Sequence, residues 1–84
     1  MRYQYKEETN PRRPSESRLL VSWPGYGWWH KLGTVERYSE PEQVEAWPAH
    51  GLHRDTSRLF ERHEDALAWL RDLWEQRQVS RRVA

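Results

Sequence analysis

Four histidines are the first residues that could do chemistry. His50 and His53 stand three positions apart, Asp55 follows, and His30 and His63 lie elsewhere. Two imidazoles and a carboxylate at that spacing can reach one divalent ion. The surrounding stretch, residues 48–56, contains Pro48 and Gly51 and reads as a loop, with no helix to fix the rings relative to one another. No H-E-x-x-H pair accompanies them and cysteine is absent, so the expectation is no metal and no other cofactor. His63 is read instead as a residue at a helix start, packing on a sheet.

Serine, histidine and aspartate are all present, but without a G-x-S-x-G elbow or a phosphate-cradling glycine loop. Glu61, Glu64 and Asp65 could pass for paired carboxylates. They fall in the first turn of the strongest helical segment, where they complement its dipole. A chain of 84 residues also has little room for a deep cleft beside its core. The expectation is a protein that is not an enzyme.

The third candidate is a surface of aromatic and basic residues. Trp28 and Trp29 are adjacent, and neighbours in a strand point to opposite faces, so one can be core while the other needs cover on the far side. An exposed indole beside Lys31, Arg37, Arg12 and Arg13 would stack on single-stranded bases. Together with Tyr26 it would serve equally as an anchor in a protein pocket, since Trp, Tyr and Arg dominate binding hot spots. Arg81 and Arg82 add two cations that can contact phosphate. The bland alternative is that so small a domain needs every Trp in its core.

These side chains must be carried by something, and the strongest element is residues 61–78. Ala66, Leu67, Leu70, Leu73 and Trp74 fall on one stripe of a 3.6-residue wheel, with Glu64, Asp65, Arg71, Asp72 and Glu75 opposite. The segment lacks Gly and Pro and is rich in helix formers. Its start is poorly marked, because Arg62 stands where Ser, Thr or Asp is usual, and Ser57 offers an earlier cap. The acidic outer face (Glu64, Asp65, Asp72, Glu75) suits a basic groove of a partner, although plain solvation explains it as well.

Upstream, residues 2–6 alternate and read as a short strand, and residues 7–17, EETNPRRPSES, read as a mobile loop. Residues 18–23 form the best strand signal, followed by a turn at Pro24-Gly25-Tyr26-Gly27 and a returning strand over residues 28–38. Gly33 within that strand implies a bulge or a close backbone approach. For residues 39–47 a capping box, Ser39 to Glu42, favours a short helix over a further strand. Residues 57–60 are a last strand or the run-in to the helix. The tail, residues 79–84, is expected to fray. The sum is a single α+β domain over residues 1–84. It has a small antiparallel sheet of three or four strands with the C-terminal helix packed across one face.

Charged residues make up 32% of the chain and mean hydropathy is −1.19, values that favour disorder. Six Trp, four Tyr and one Phe oppose it, because each buried aromatic removes about 150–250 Å² from water. Net charge is only +1, but residues 1–38 hold seven Lys/Arg against four Asp/Glu, while residues 39–78 hold five against nine. No long apolar run and no signal-peptide pattern appear, so the expectation is a cytoplasmic protein with no membrane partner.

The run LLVSWPGYGWWHKLGTVERY, residues 19–38, resembles the V-x-W…WW…G-x-V hairpin of Tudor- and PWWP-type barrels. That resemblance implies an aromatic cage for methylated lysine. It covers about a quarter of the chain. The remainder departs from the family, with too few strands to close a barrel and a long helix at the end, so no cage residue carries over. In size and style the chain is also similar to small phage or mobile-element inhibitors of a larger host machine, anti-CRISPR proteins among them. The functional expectation is a small protein-binding module whose partner is a larger protein or nucleoprotein complex. Nucleic-acid binding through the Trp/Arg surface is the alternative, and homodimerisation through an uncovered sheet face or edge is a third reading.

Overall fold

The computed structural model describes residues 2–49 and 57–83. Five strands precede one helix: β1 (Gln4–Asn10), β2 (Arg13–Ser22), β3 (His30–Ser39), β4 (Glu42–Pro48), β5 (Arg58–Phe60) and α1 (His63–Val83). The strands form one antiparallel sheet in the order β1-β2-β3-β4-β5, each beside its neighbour in sequence. The α+β architecture with a C-terminal helix across an antiparallel sheet is therefore as expected, but the sheet has five strands rather than three or four.

Two strands are longer than expected and one is added, all from segments expected to be something else. Residues 7–17 are not a loop: they are the far half of β1, a turn at Pro11-Arg12, and the first half of β2. Asn10 makes the turn, its side-chain oxygen accepting the Arg12 backbone N–H at 3.0 Å. Their charges are matched across the ladder. Glu8 lies opposite Arg18, which donates to it at 2.7 and 3.0 Å, and Glu7 accepts the Ser17 hydroxyl. Opposite charges on facing strand positions stabilise a pairing that the composition of either strand alone disfavours. Residues 42–48 are likewise a strand and not a helix. Their seven-residue pairing with β3 overrides the helix formers Glu, Gln and Ala, and it puts Val44 and Ala46 into the core.

The core lies between one sheet face and α1. Leu19 and Val21 from β2, Leu32 and Val35 from β3, and Val44 and Ala46 from β4 meet Ala66, Leu70 and Trp74 of the helix. The expected helical stripe is thus the buried one. The helix starts at His63, two residues inside its expected start, and continues past its expected end to Val83, so residues 79–83 belong to it. Arg62 stands at the cap position, its carbonyl accepting the Ala66 N–H at 3.3 Å, while Ser57 donates to Glu45 instead of capping. Packing against the sheet, rather than a capping side chain, holds this helix end.

Gly33 is the tightest point of the assembly. The β2–β3 register shifts there, Leu19 facing Gly33 but Leu20 facing Lys31, which leaves Leu32 as an inserted residue turned into the core. A Cβ on Gly33 would lie 2.5 Å from the Trp47 carbonyl oxygen and 2.8 Å from a Leu70 methyl. Both readings of this glycine, bulge and close approach, therefore hold.

Candidate functional site

Three candidate surfaces follow from the fold: the loop between β2 and β3, the sheet face turned away from α1, and the outer face of α1.

The β2–β3 loop begins with a tight turn. The Tyr26 N–H donates to the Trp23 carbonyl at 3.0 Å, Pro24 occupies the second position, and Gly25 the third with φ +89°. That is the type II pattern, which requires positive φ at its third residue. The Tyr26 ring then stacks on Trp23 at 4.0 Å, and Trp23 stacks on Trp74 at 5.5 Å. Tyr3 meets both indoles edge-on, and His30 packs on Trp74. These rings use their faces on one another. They form a pedestal, not an open cage.

Trp28 and Trp29 stand beyond the pedestal and before β3, not inside a strand as expected, so strand alternation does not govern them. Trp28 is 75% exposed, the most exposed of the large apolar side chains among the described residues, and Trp29 is 41% exposed. Lys6 places its Nζ 4.4 Å from the centre of the Trp29 ring, a cation–π contact that contributes about 0.5–1 kcal/mol at an exposed site. Leu20 faces Lys6 and Lys31 in the ladder, points away from the helix, and is nonetheless buried.

The basic residues expected to join Trp29 are divided. Lys31 shares a ladder row with Lys6, but Arg37 lies six residues further along β3, about 20 Å away at strand rise. Arg37 donates to the Pro14 carbonyl at 2.8 Å, and Arg13 is bound to Glu36 at 2.6 Å. Arg12 sits on the β1–β2 turn at that same distant end. Arg81 and Arg82 lie on the last turn of α1. The single Trp/Arg platform is therefore not assembled. The cation that does meet Trp29 is Lys6, which belongs to a strand whose register could not be read from its own sequence.

The sheet face away from α1 carries more than was expected of it. Ladder pairing puts Lys6, Leu20 and Lys31 in one row, Glu8, Arg18, Thr34 and Trp47 in the next, and Glu16, Glu36, Glu45 and Leu59 in a third. Tyr38, Trp47 and Leu59 are exposed on it. Hydrogen bonds from Arg18 and Lys6 hold the Glu8 carboxyl below the usual carboxylate range. Glu36 is buried, with one oxygen accepting Arg13 and Ser15 and the other lacking a partner among the described residues. A groove of about 550 Å³ opens over β1, β2 and β3, lined by Glu8, Glu16, Arg18, Lys31 and Thr34 among others.

On the helix, Glu64, Asp65, Asp72 and Glu75 are exposed, as the wheel requires. Two of them are engaged: Glu75 accepts the Tyr5 hydroxyl at 2.9 Å, and Arg62 reaches Glu64 at 3.5 Å. Burial and that bond to Glu75 push the Tyr5 phenol well above its ordinary pKa.

A serine, a glutamate and a histidine also converge. Glu7 accepts the Ser17 hydroxyl, and His63 Nε2 lies 2.6 Å from the same oxygen. Nucleophilic catalysis needs the imidazole between hydroxyl and carboxylate, whereas here the carboxylate is in the middle and Ser17 is buried. The trio ties β1 to the start of α1, the packing role expected of His63. Among the described residues no group of three or more His, Cys, Asp or Glu is placed to hold a metal ion. His50, His53 and Asp55 lie outside the described residues.

The fold and these surfaces define a class: a five-stranded antiparallel meander crossed by one helix, with an aromatic loop at one end. No protein-family model, curated protein or solved structure matches the chain. No helix among the described residues is long and apolar enough to cross a membrane.

Proposed function

We propose that the chain is a small, non-enzymatic protein-binding module that docks on a larger protein or nucleoprotein complex through the loop carrying Trp28 and Trp29. The observation that supports this most is the Trp28 indole, three-quarters exposed on a loop whose base is clamped by stacked rings and a glycine turn. Keeping a large apolar ring in water is unfavourable, at roughly 25 cal/mol per Å² of apolar surface, and burial against a partner recovers that energy. A clamped loop also loses little entropy on docking. Trp28 is the anchor in this reading, Trp29 with Lys6 its rim, and Tyr26 the support. Inhibition of a host machine by occupying one of its pockets is the mode that fits so small a protein.

Trp28→Ala tests the proposal. The variant should fold with an unchanged unfolding midpoint, since residue 28 contributes nothing to the core. It should bind its partner at least about thirtyfold more weakly, as loss of a hot-spot tryptophan costs on the order of 2 kcal/mol or more. Undiminished binding by folded Trp28→Ala would remove Trp28 from the interface.

One observation favours nucleic acid as a second reading: an aromatic ring stacked on a lysine, with Lys31 in the same row. Phosphate contacts release counterions, so oligonucleotide affinity must fall steeply with salt in that case. An affinity that stays flat between low and physiological salt excludes it.

A further inference from the structure

We infer that the sheet face opposite α1 is the contact surface of a two-fold homodimer, with a second copy of this chain as its occupant. The charges on that face are sorted along the strands. Lys6 and Lys31 lie in the row nearest the β2–β3 loop, and one row further on Arg18 is paired with Glu8, which also meets Lys6 and leaves Lys31 as the unmatched cation of this end among the described residues. Glu16, Glu36 and Glu45 are direct neighbours in the third row, three carboxylates side by side across β2, β3 and β4. Like charges on directly opposed strand positions destabilise a sheet. Among the described residues only Glu36 has a cation, Arg13. Glu45 is met by the hydroxyls of Tyr38 and Ser57, and Glu16 has no ion pair among the described residues. Lys31 likewise has no carboxylate partner among them.

A face divided in this way is complementary to itself under one operation. A two-fold axis lying in the contact plane and running across the strands reverses their direction without exchanging β1 for β5. It lays the basic end of one copy on the acidic end of the other, so that Lys31 meets the carboxylate row of the second copy, while the middle row, with Arg18 beside Glu8, meets its own counterpart. An axis along the strands would instead place like on like. Such isologous contacts are the commonest form of homo-oligomer. The apolar content fits: Trp47, Tyr38 and Leu59 are exposed on this face and become covered. The area fits too. Five strands about 4.8 Å apart and up to ten residues long make a face of roughly 20 by 30 Å, of the order of the ~800 Å² per partner of a standard interface. The same axis sends the two β2–β3 loops to opposite ends of the dimer, leaving Trp28 of each copy outside the contact. The dimer does not depend on what Trp28 binds.

Sedimentation velocity on the full chain over a concentration series tests the inference, with three variants beside the wild type. The wild type should reach a dimer that dissociates on dilution and weakens as salt is raised. Lys31→Glu alone and Glu16→Lys alone should each raise the dimer dissociation constant at least about tenfold, because each lost contact occurs twice in a two-fold assembly. The double swap, Lys31→Glu with Glu16→Lys, keeps the composition and should return the constant to within about threefold of the wild type. Circular dichroism of each variant verifies the fold, and the double swap reads the pairing even if one single change perturbs the sheet. A wild type that stays monomeric throughout the series overturns the inference. So does a dimer indifferent to both reversals, which would place the contact elsewhere, such as the β1 edge.

Discussion

Leu70→Asp should abolish folding. Leu70 is fully buried at the centre of α1, in contact distance of the space above Gly33, and belongs to the single cluster that joins helix to sheet. Removing the leucine side chain forfeits about 2–5 kcal/mol of transfer and cavity energy. The introduced carboxylate then has no cation to meet, because its neighbours in the cluster are Leu, Val, Ala and Trp. Desolvating an unpaired charge there costs several kcal/mol more. A domain of this size has on the order of 4–13 kcal/mol in total, at 0.05–0.15 kcal/mol per residue. The two losses together exceed most of that range. Circular dichroism at room temperature should show an unfolded chain, and a cooperative thermal transition in Leu70→Asp would contradict the core assignment.

Gly33→Val should come next in severity. The first atom it adds would sit 2.5 Å from the Trp47 carbonyl and 2.8 Å from a Leu70 methyl. The leucine can turn aside, but the carbonyl belongs to β4 and is fixed by the ladder that pairs Gly33 with Pro48 and Thr34 with Trp47. Relief therefore requires β3 and β4 to part where the bulge turns Leu32 inward. Overpacking a core costs about 1–3 kcal/mol where side chains can move, and more where backbone must. An expected loss of about 3 kcal/mol or more should appear as a fall in the urea midpoint with little change in slope. A midpoint within experimental error of the wild type would show that the close approach at Gly33 is absent in solution.

The legible and illegible parts of this chain divide along the range of the forces involved. The α1 stripe was legible because its period is local: Ala66, Leu70 and Trp74 name the buried side with no knowledge of the sheet. Gly33 was legible because a glycine amid strand formers marks a constraint on Cβ. The outer half of the first hairpin was not. Glu7, Glu8 and Arg13 look like solvated loop charges until the pairing sets Glu8 against Arg18 and hydrogen bonds tie Glu7 to Ser17 and His63. β4 was hidden because its helix-forming composition yields to the ladder it makes with β3 across the turn at Glu40-Pro41, a pairing that helix propensity does not register.

The binding surface was half legible. Trp28 and Trp29 stood out by type, but treating them as strand residues obscured that they lie on a loop and that both are substantially exposed. Grouping Arg12, Arg13 and Arg37 with them failed because proximity in sequence is not proximity along a strand. Lys31 and Arg37 share β3 and occupy its opposite ends. The open face, with its sorted charges, was visible only as a general risk of an uncovered sheet. Its pattern exists in the register alone.

The central claim is that the loop bearing Trp28 is where the module meets its partner. Hydrogen exchange on the chain, free and bound to a protein captured from the cells that make it, reads that claim directly. Bound amides of residues 25–31 should exchange more slowly, and the same complex should fail to form with Trp28→Ala. Protection confined to the first half of α1, around Glu64, Asp65 and Asp72, would contradict the account and move the binding surface to the acidic face of the helix.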